Sequence, residues 1–554
     1  MKWTIFNGIF ISLIVLNPLF AQDTDQQRDR DDLGNEQVEV VKEFNPMVSD
    51  AVKEKFRASL PEYKGEKLEF IYDDAPERVI VFPFSPEAAK PLSIPSQKAE
   101  NFASSYIKAG FGTQLSPLVE VLFNEGKKGK NDGKFEKMNY GAFFRHHSAR
   151  ASKIEHQDFS ENYGKVFNNM YFKNARWNTE LSYKRDAVFY YGHNIASDTS
   201  FARKDIKQHY NDFNVKTQVL NTQNNKKAFN YQVDLEFDYF SDRRDMKEYF
   251  INFDIATEKI FKEKHFLKIN FSEDYSALDR SAGQLNRNIA SLAPKYEFND
   301  QTWRVFGGVN FTYEDKTFHV FPDLGLERQL WKEYILFYSG WKMELRKNSF
   351  RSFARDNPWV GEDFTLLNTR VEDRFMGVKG KVGKFYYNGK LAQKAIRKLP
   401  VFINDSTRNM QTFDVLYDRK TNILNLHIEL SYDINKNIGF DFFGDYYMYE
   451  MDQIRKAYHL PRFDIHFLAR YNYGDKVFIN FDMFARDGVY ALIPGNEDIR
   501  LKGFADFNIR GTYKFSDYLS FFADFNNIAS MKYQRYYLYP GYGFNCKLGG
   551  ILTF

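Results

Sequence analysis

Two adjacent histidines and a nearby Glu–His pair are the residue types in this chain that could hold a metal ion. His146 and His147 are followed by Glu155 and His156. Imidazole and carboxylate groups are common zinc ligands. Neighbouring residues on a strand, however, point to opposite faces, so His146 and His147 would not bind one ion together. We therefore expect the end of a strand here and no metal site.

A tryptophan lies among carboxylates in the segment DNPWVGEDF, residues 356–364. The carboxylates in and after this segment belong to Asp356, Glu362, Asp363 and Glu372. Trp359 beside acidic groups could bind a sugar, a cation or a protein surface. An ordered external loop that folds back on itself would have the same composition, and we favour that interpretation.

Catalytic residues are harder to find. The single cysteine, Cys546, excludes a disulfide framework and a Cys-based zinc site, and we expect a packed or lipid-facing side chain rather than a reactive thiol. The chain has ten histidines, but no spacing of a nucleophile and a base stands out. Catalytic groups can come together only in the fold, so this is weak evidence. We expect no enzyme and no cofactor.

Composition narrows the fold class. The chain has 554 residues, of which 18% are aromatic and 27% are charged, and its mean hydropathy is −0.56. A helical membrane protein would need several apolar runs of about 20 residues. Only the amino terminus has such a run. The net charge of +4 is too small to indicate a nucleic-acid partner.

The amino terminus has the pattern of a Sec signal peptide. Residues 1–21, MKWTIFNGIFISLIVLNPLFA, place Lys2 before an apolar stretch and predict cleavage before Gln22. No cysteine follows the cleavage site, so a lipoprotein is not expected. The mature chain is therefore secreted, periplasmic or integrated into an outer membrane.

Residues 22–99 do not have the pattern of a compact domain. Residues 22–35 are strongly charged, and seven prolines follow before residue 99. Two short β-like runs, VEVV (38–41) and RVIVF (78–82), lie between the prolines. We expect an extended segment in the periplasm or in the lumen of a barrel.

From about residue 100 to the end, apolar and polar residues alternate. The pattern is clear at 231–239, 424–432, 438–448 and 505–515. It recurs in roughly twenty segments of about ten residues, which is the length of a membrane-spanning strand. Residues 541–554 continue the alternation to the aromatic carboxy terminus.

The number of predicted strands indicates whether their apolar faces contact lipid or the interior of a soluble protein. Open sheets in soluble proteins rarely exceed about ten strands, and a solenoid would show a fixed repeat that is absent here. A transmembrane barrel places apolar residues in lipid and charged residues in a wet interior, and closure removes the sheet edges. We predict an all-β antiparallel outer-membrane barrel over residues 100–554, with an even number of about 16–22 strands. Its last strand should pair with the first, near residues 104–113.

The connections between strands differ in length. Short ones are predicted at 113–116, 433–437 and 516–517, and long polar ones at 125–137, 192–206, 276–288, 346–364 and 485–501. Barrels place short turns in the periplasm and long loops outside, so the two groups are expected at opposite rims.

Several stretches carry a resemblance to a known family. The carboxy-terminal residues 501–554 resemble the last strands of TonB-dependent receptors, through Asn526-Asn527-Ile528, Tyr533, Tyr539-Pro540-Gly541 and Phe554. Four stretches resemble receptor-like barrels of Bacteroidota: YIKAGFGTQLSPLVEVLFN (106–124), YGAFFRHHSA (140–149), FSEN (159–162) and LSYKRDAVFYYGHN (181–194). Such receptors carry a plug domain larger than residues 22–99, so a full plug is not expected here.

The resemblance implies two partner-binding stretches. One is similar to an energy-coupling TonB box, which pairs by strand addition: Glu36, Gln37, Val38, Glu39, Val40, Val41 and Lys42. The other is similar to the β-signal read by the barrel-assembly machinery: Tyr542, Phe544, Leu548, Leu552 and Phe554.

The resemblance leaves three functions open. We expect a membrane subunit of an envelope assembly that works with protein partners. A TonB-linked transporter of a small nutrient and a structural or adhesive barrel that displays long loops are the alternatives.

Overall fold

The protein forms one closed barrel of 22 antiparallel strands. The structure is a computed structural model that describes residues 105–128, 136–150, 154–192, 202–221, 229–281 and 283–554. The predicted signal peptide and residues 22–99 lie outside the described residues. The predicted all-β barrel with an even strand number is confirmed.

Twenty-six strands are present in the described residues, and all but β20, β21, β24 and β25 belong to the barrel. Their bounds are β1 Tyr106–Gly112, β2 Ser116–Lys128, β3 Lys137–Arg150, β4 Asp158–Tyr171, β5 Ala175–Phe189, β6 Lys207–Asn221, β7 Asn230–Asp242, β8 Lys247–Phe261, β9 His265–Arg280, β10 Gly283–Asn299, β11 Trp303–Glu314, β12 Thr317–Trp331, β13 Ile335–Arg346, β14 Thr369–Val382, β15 Phe385–Asn404, β16 Phe413–Asn435, β17 Ile438–Glu450, β18 Phe463–Tyr473, β19 Val477–Arg486, β20 Tyr490–Ile493, β21 Glu497–Arg500, β22 Phe504–Lys514, β23 Leu519–Asn526, β24 Gln534–Tyr536, β25 Tyr539–Pro540 and β26 Asn545–Thr553.

The first and last strands close the barrel as predicted. β26 pairs with β1 from Tyr106↔Thr553 to Gly112↔Lys547, and its other edge pairs with β23. Every barrel strand therefore has two hydrogen-bonded neighbours, and no sheet edge remains in the barrel.

Side chains alternate between the two sides of the wall. On β1, Tyr106 and Lys108 are buried on the inner side, whereas Ile107 and Phe111 are exposed on the outer side. The same outward exposure of large apolar side chains recurs around the barrel, for example at Trp177, Leu235, Ile251, Leu426 and Leu548. An apolar outer wall around a polar lumen is the arrangement that a lipid environment requires.

The two rims of the barrel differ. The start of β1 and the end of β26 lie at one rim, here called the terminal rim. The opposite rim, here called the loop rim, carries the long connections 190–206, 347–368, 451–462, 487–503 and 527–544. Long loops at one rim and short turns at the other are typical of outer-membrane barrels.

Three predicted connections were wrong. The short turn after β1 lies at the loop rim, and the 125–137 connection joins β2 and β3 at the terminal rim. Residues 276–288 are not a loop, because β9 runs to Arg280 and β10 starts at Gly283. β9 and β10 both extend beyond the apolar belt of the outer wall. In that region, polar side chains on both faces of a strand cost little free energy.

The helical content of the described residues is small. It consists of one short helix, α1 (Phe350–Asp356), and a 3-10 turn at Ser406–Arg408. None of the helices that the structure describes is long and apolar enough to cross a membrane.

Candidate functional site in the barrel lumen

Buried charges on neighbouring strands form ion pairs along the lumen wall. Glu297 on β10 is 1% exposed, and its carboxylate accepts hydrogen bonds of 2.8 Å from Lys268 Nζ on β9 and from Arg304 Nε on β11. Arg304 also lies 3.5 Å from Glu327 on β12. A buried carboxylate is tolerated only when it is paired in this way. The predicted polar lining of the lumen is therefore built of paired charges.

One row of this lining alternates in sign across six strands, from β10 to β15. Its charged members are Lys295, Asp323, Lys342, Asp373 and Lys394, with Gly308 on β11 between the first two. Lys295 Nζ lies 2.9 Å from Asp323 Oδ2. Opposite charges at facing positions of neighbouring strands stabilise a sheet by about 0.2–1 kcal/mol per pair.

A cavity of about 850 Å³ lies against this wall and is lined by residues of β9 to β16. Two aromatic rings lie flat on the wall beside the charged row, over glycines of the neighbouring strand. A Cβ at Gly325 would come within 2.1 Å of the Phe306 ring, and one at Gly340 within 2.6 Å of the Phe375 ring. Lys295 Nζ lies 3.8 Å from the centroid of the Phe306 ring, so the charges of this wall also contact its aromatic rings.

The loop rim is bridged by residues 347–368, here called the cap, which join β13 to β14. The cap contains α1, whose first turn is closed by a capping box between Ser349 and Ser352. A helix of seven residues is not stable alone, so its conformation depends on packing against the barrel.

Two arginines of α1 attach the cap to the inner side of the barrel wall. Arg351 pairs with Asp212 of β6 (3.0 Å) and with Asp238 of β7 (2.8 Å), and both aspartates are buried. Arg355 reaches the same Asp212 carboxylate over 2.6 Å but is half exposed. Since Asp212 and Asp238 face inward, α1 lies inside the mouth of the barrel.

An apolar core joins the cap to strands on different sides of the mouth. Phe350 and Phe353 of α1 are almost fully buried in it. The other buried members are Tyr210, Phe240, Met246, Leu278, Ala354, Val360, Phe364, Leu366, Phe402, Phe413, Val415, Tyr536 and Tyr539. They come from β6, β7, the turn between β7 and β8, β9, β15, β16, the cap and the small β24–β25 hairpin. Burial of this many aromatic side chains is the main stabilisation of the cap.

The β24–β25 hairpin of the 527–544 connection packs against the cap. The rings of Trp359 and Tyr539 stack with centroids 3.9 Å apart, and the Tyr536 hydroxyl donates a hydrogen bond to the backbone carbonyl of Asp356. Gln157 Nε2, in the connection between β3 and β4, donates to the carbonyl of Pro540 over 2.6 Å. The two loops therefore form a continuous layer that also contacts the far side of the mouth.

A buried histidine links a third loop to this layer. His459, in the 451–462 connection, donates from Nδ1 to the backbone carbonyl of Phe402, and its Nε2 accepts from the backbone N–H of Tyr537. Burial lowers the pKa of His459 to about 4. The imidazole is therefore neutral at physiological pH.

We expect this histidine to make the loop layer sensitive to acid. When the loop is open, the pKa of the imidazole is close to 6.5, and in the closed loop it is about 4. The stabilisation is complete above pH 6.5 and falls by about 1.4 kcal/mol per pH unit as the pH drops from 6.5 to 4. Hydrogen exchange of residues 451–462, corrected for the intrinsic rate, measures this slope.

The matched variant is His459→Gln, which keeps a donor and an acceptor but does not titrate in this range. The slope should be absent from the variant. An equal slope in both proteins would show that other groups control the opening of the loop.

The histidines singled out in the sequence do not come together. His146 faces outward and contacts Asn162 Oδ1 over 2.7 Å, while His147 is buried on the inner side, 2.8 Å from Lys547 Nζ. His156 pairs with Glu155 and stacks on Phe189. The prediction that His146 and His147 lie on opposite faces is confirmed. In the described residues, no group of three His, Cys, Asp or Glu side chains could hold a metal ion.

The acidic segment 356–364 belongs to the cap. Trp359 is packed inside, and its Nε1 donates to the carbonyl of Phe189 over 3.0 Å. Glu362 pairs with Arg244 and Arg408. Glu372 lies apart on β14 and accepts from Trp341 Nε1. The segment therefore uses its tryptophan and most of its charge in internal contacts.

The structure describes only one of the two predicted partner-binding stretches. The TonB-box-like residues 36–42 lie outside the described residues. Leu548, Leu552 and Phe554 are exposed on the outer face of β26 or at its end. The last strand, β26, begins at Asn545 and not at residue 541, so Phe544 precedes it. Tyr542 lies at the loop rim, where its hydroxyl donates a hydrogen bond to the backbone carbonyl of Gln157. Cys546 is half-buried on the same outer face.

The family-like residues near the carboxy terminus have structural roles in the last loop. Asn527 donates to the carbonyls of Met531 and Tyr542, so that it holds both ends of the 527–544 connection. Tyr533 stacks on Phe504 at 3.8 Å and donates to Asp506. These residues were noted in the sequence, but the cap that their loop supports was not predicted.

Comparison with known proteins gives matches in structure. No protein-family model and no curated protein matches the chain. The FrpB iron transporter from Neisseria meningitidis (F3-3 variant) superposes with a TM-score of 0.65 at 10% identity, over 82% of each chain. The siderophore receptor PirA from Acinetobacter baumannii gives 0.62 at 10% identity, over 81% of this chain and 80% of PirA. The FpvAI–pyocin S2 complex gives 0.61 at 11% identity, over 81% and 73%. The chain therefore has the barrel fold of these receptors and transporters.

Proposed function

We propose that the protein is an integral outer-membrane barrel, exported by the Sec pathway in a Gram-negative bacterium of the Bacteroidota, and that it serves as the membrane subunit of an envelope assembly. Its barrel is similar to that of TonB-dependent receptors, and we propose that residues 22–99 do not form a full plug. The apolar outer wall and the likeness in fold to a siderophore receptor and an iron transporter support the membrane location.

The cap is the observation that carries this proposal. A barrel that collects a ligand from outside needs an accessible vestibule at the loop rim. Here aromatic residues from the cap, two wall sectors and the β24–β25 hairpin share one buried core at that rim. Since the approach to the lumen from the loop rim is occupied, the barrel is better suited to anchor partners than to admit a ligand.

Charge favours an interaction of residues 22–99 with the lumen or the terminal rim. This segment has 17 acidic and 11 basic residues, a net charge of −6 in a chain whose total is +4. The remainder of the chain is therefore basic. The segment is joined to β1 at the terminal rim, so that it either enters the lumen or docks below it.

The partners that follow are proteins and lipid. β26 ends in exposed apolar residues and would be read by the barrel-assembly machinery, and periplasmic or surface lipoproteins would complete the assembly. The lipid partner is the outer membrane itself. No nucleic-acid partner is proposed.

A TonB-linked transporter of a small nutrient is the second candidate. The likeness to an iron transporter and the cavity of about 850 Å³ favour it. A structural or adhesive barrel is a further candidate, supported by the long connections at the loop rim.

Deletion of residues 36–42 separates the first two functions. For a membrane subunit, we expect unchanged growth on limiting iron, vitamin or glycan, together with co-purification of stable partners in detergent. Loss of growth on any of these nutrients would favour energy-coupled uptake. Deletion of residues 23–29, which is a deletion of equal length outside the box-like stretch, is the control.

A further inference from the structure

Four basic side chains cluster on the outer side of the barrel at the loop rim. Arg185 of β5, Lys207 and His209 of β6 and Arg243 in the turn after β7 form this group, here called the basic patch. Arg185, Lys207 and His209 lie at the outward positions of their strands, where Arg185 pairs with Asn211, His209 with Ala187 and Lys207 with Phe189. The patch goes beyond the protein partners proposed above, because it faces lipid and not the lumen.

The members of the basic patch are close to one another, and none of them has a carboxylate partner among the described residues. Arg185, Lys207 and Arg243 are all near enough to His209 to act on its charge. Arg243 Nη1 donates to the backbone carbonyls of Lys204 and Lys207, which fixes it in the group. In the part of the chain that the structure describes, no Asp or Glu forms an ion pair with any of the four.

This lack of pairing contrasts with the lumen. On the inner wall, Lys268, Lys295 and Arg304 each have a carboxylate within 3 Å. Like charges on neighbouring strands destabilise a sheet, so an unpaired group of cations on the outer wall has a cost that a bound anion would remove.

The side chains below the patch mark the height of a lipid interface. Moving from the loop rim towards the barrel centre, the outward positions carry first the cations and then tyrosines, and below these aliphatic residues. The tyrosines are Tyr183, Tyr239 and Tyr249, and the aliphatic residues are Leu181, Leu235 and Ile251. The Tyr239 and Tyr249 rings are 5.1 Å apart. Tyrosines lie at headgroup depth in membrane barrels, so the cations above them reach the charged groups of the lipid.

We propose that the basic patch binds the phosphate of an anionic lipid headgroup in the leaflet at the loop rim. Guanidinium and ammonium groups donate charge-assisted hydrogen bonds to phosphate oxygens, and the outward apolar wall below holds the acyl chains. The site therefore recognises a lipid through its headgroup charge and its chains together.

The test uses the full chain purified in a mild non-ionic detergent. Phosphatidylglycerol and phosphatidylcholine are added as probes, and retained lipid is counted by native mass spectrometry. The wild type should retain phosphatidylglycerol in preference to phosphatidylcholine. The double variant Arg185→Gln/Lys207→Gln should bind phosphatidylglycerol roughly 30-fold more weakly, since each basic side chain at a charged bilayer surface contributes a factor of about five.

A matched control removes two positive charges at the other rim. Lys262 and Lys332 lie in turns of the terminal rim, and Lys262→Gln/Lys332→Gln should leave retention of phosphatidylglycerol unchanged. Equal loss in both double variants, or equal retention of the two lipids by the wild type, would overturn the proposal. Inorganic phosphate at millimolar concentration should not displace the lipid, and displacement would show a site for the free anion instead.

Discussion

Replacing Arg351 with methionine is expected to release the cap from the barrel wall. The substitution keeps much of the side-chain volume but leaves Asp238, and in part Asp212, without a cation in a buried site. Removing one partner of a buried ion pair costs about 3–5 kcal/mol, and we expect the lower value because Arg355 still reaches Asp212. Cleavage of residues 347–368 by a protease follows the open fraction, so it should become about 100-fold faster.

Arg355→Met is the matched control for this prediction. Arg355 lies one turn further along α1 and pairs with the same Asp212, but about half of its side chain is exposed. An exposed pair contributes only about 0–1 kcal/mol, so cleavage should change by less than about five-fold. Equal effects of the two substitutions would show that the Asp212–Asp238 anchor does not hold the cap.

Gly549→Val is expected to prevent closure of the barrel. Gly549 faces inward on β26, opposite Gly110 of β1. A Cβ at this position would lie 2.2 Å from the backbone oxygen of Ala109 and 2.5 Å from the Phe522 ring. Because the first contact is with backbone, the strands must separate, at a cost above the roughly 1–3 kcal/mol of ordinary overpacking. The unheated protein should lose the fast electrophoretic mobility of a folded barrel.

The neighbouring glycine provides the comparison. A Cβ at Gly550 would face outward and meet nothing closer than the Ser520 backbone oxygen at 3.8 Å. Gly550→Val should therefore fold within about 0.5 kcal/mol of the wild type. If both valine variants fold alike, the tight seam between β1 and β26 is not the step that closes the barrel.

The barrel itself was predictable from sequence because each strand lies between two different solvents. Residues such as Ile107 and Lys108 alternate in polarity because one faces the outside and the other the lumen. The pairing of β26 with β1 followed from the same argument, since a closed barrel leaves no strand without a neighbour. Both features depend on local pattern and on closure, and both are confirmed.

The rim assignments failed where strand length varies. β1 has seven residues, whereas β15 and β16 have 20 and 23. Because β1 is short, it does not project far at the loop rim. The turn that follows it is therefore as short as the turns of the terminal rim. Loop length alone therefore does not identify the rim.

The sequence predicted an ordered loop in this region, but the packing of the cap into the barrel mouth could not be predicted, because its partners are far away in sequence. Phe350 and Phe353 are separated by one turn of a helix, but the segment around them is short and polar and contains a proline. The residues that bury them include Tyr210, Phe402 and Tyr536, which lie on strands or loops about 50–190 positions away. The capping pair Ser349 and Ser352 was the one local signal of the helix.

The aromatic residues of the chain lie in two different environments. Many Phe and Tyr residues are exposed on the outer wall, where membrane barrels carry girdles of aromatic residues at the lipid interfaces. Phe353, Phe413, Tyr536 and Tyr539 are instead buried at the loop rim. Part of the aromatic content therefore stabilises the loops and not the contact with lipid.

Conductance in planar bilayers tests most directly whether the cap closes the barrel. The comparison uses a chain that lacks residues 22–99, with or without replacement of residues 349–366 by a Gly-Ser linker. A barrel of 22 strands encloses a wide lumen, so the chain without its cap should form large, stable pores. With the cap in place the same chain should remain closed. Equal pores from both chains would contradict the account.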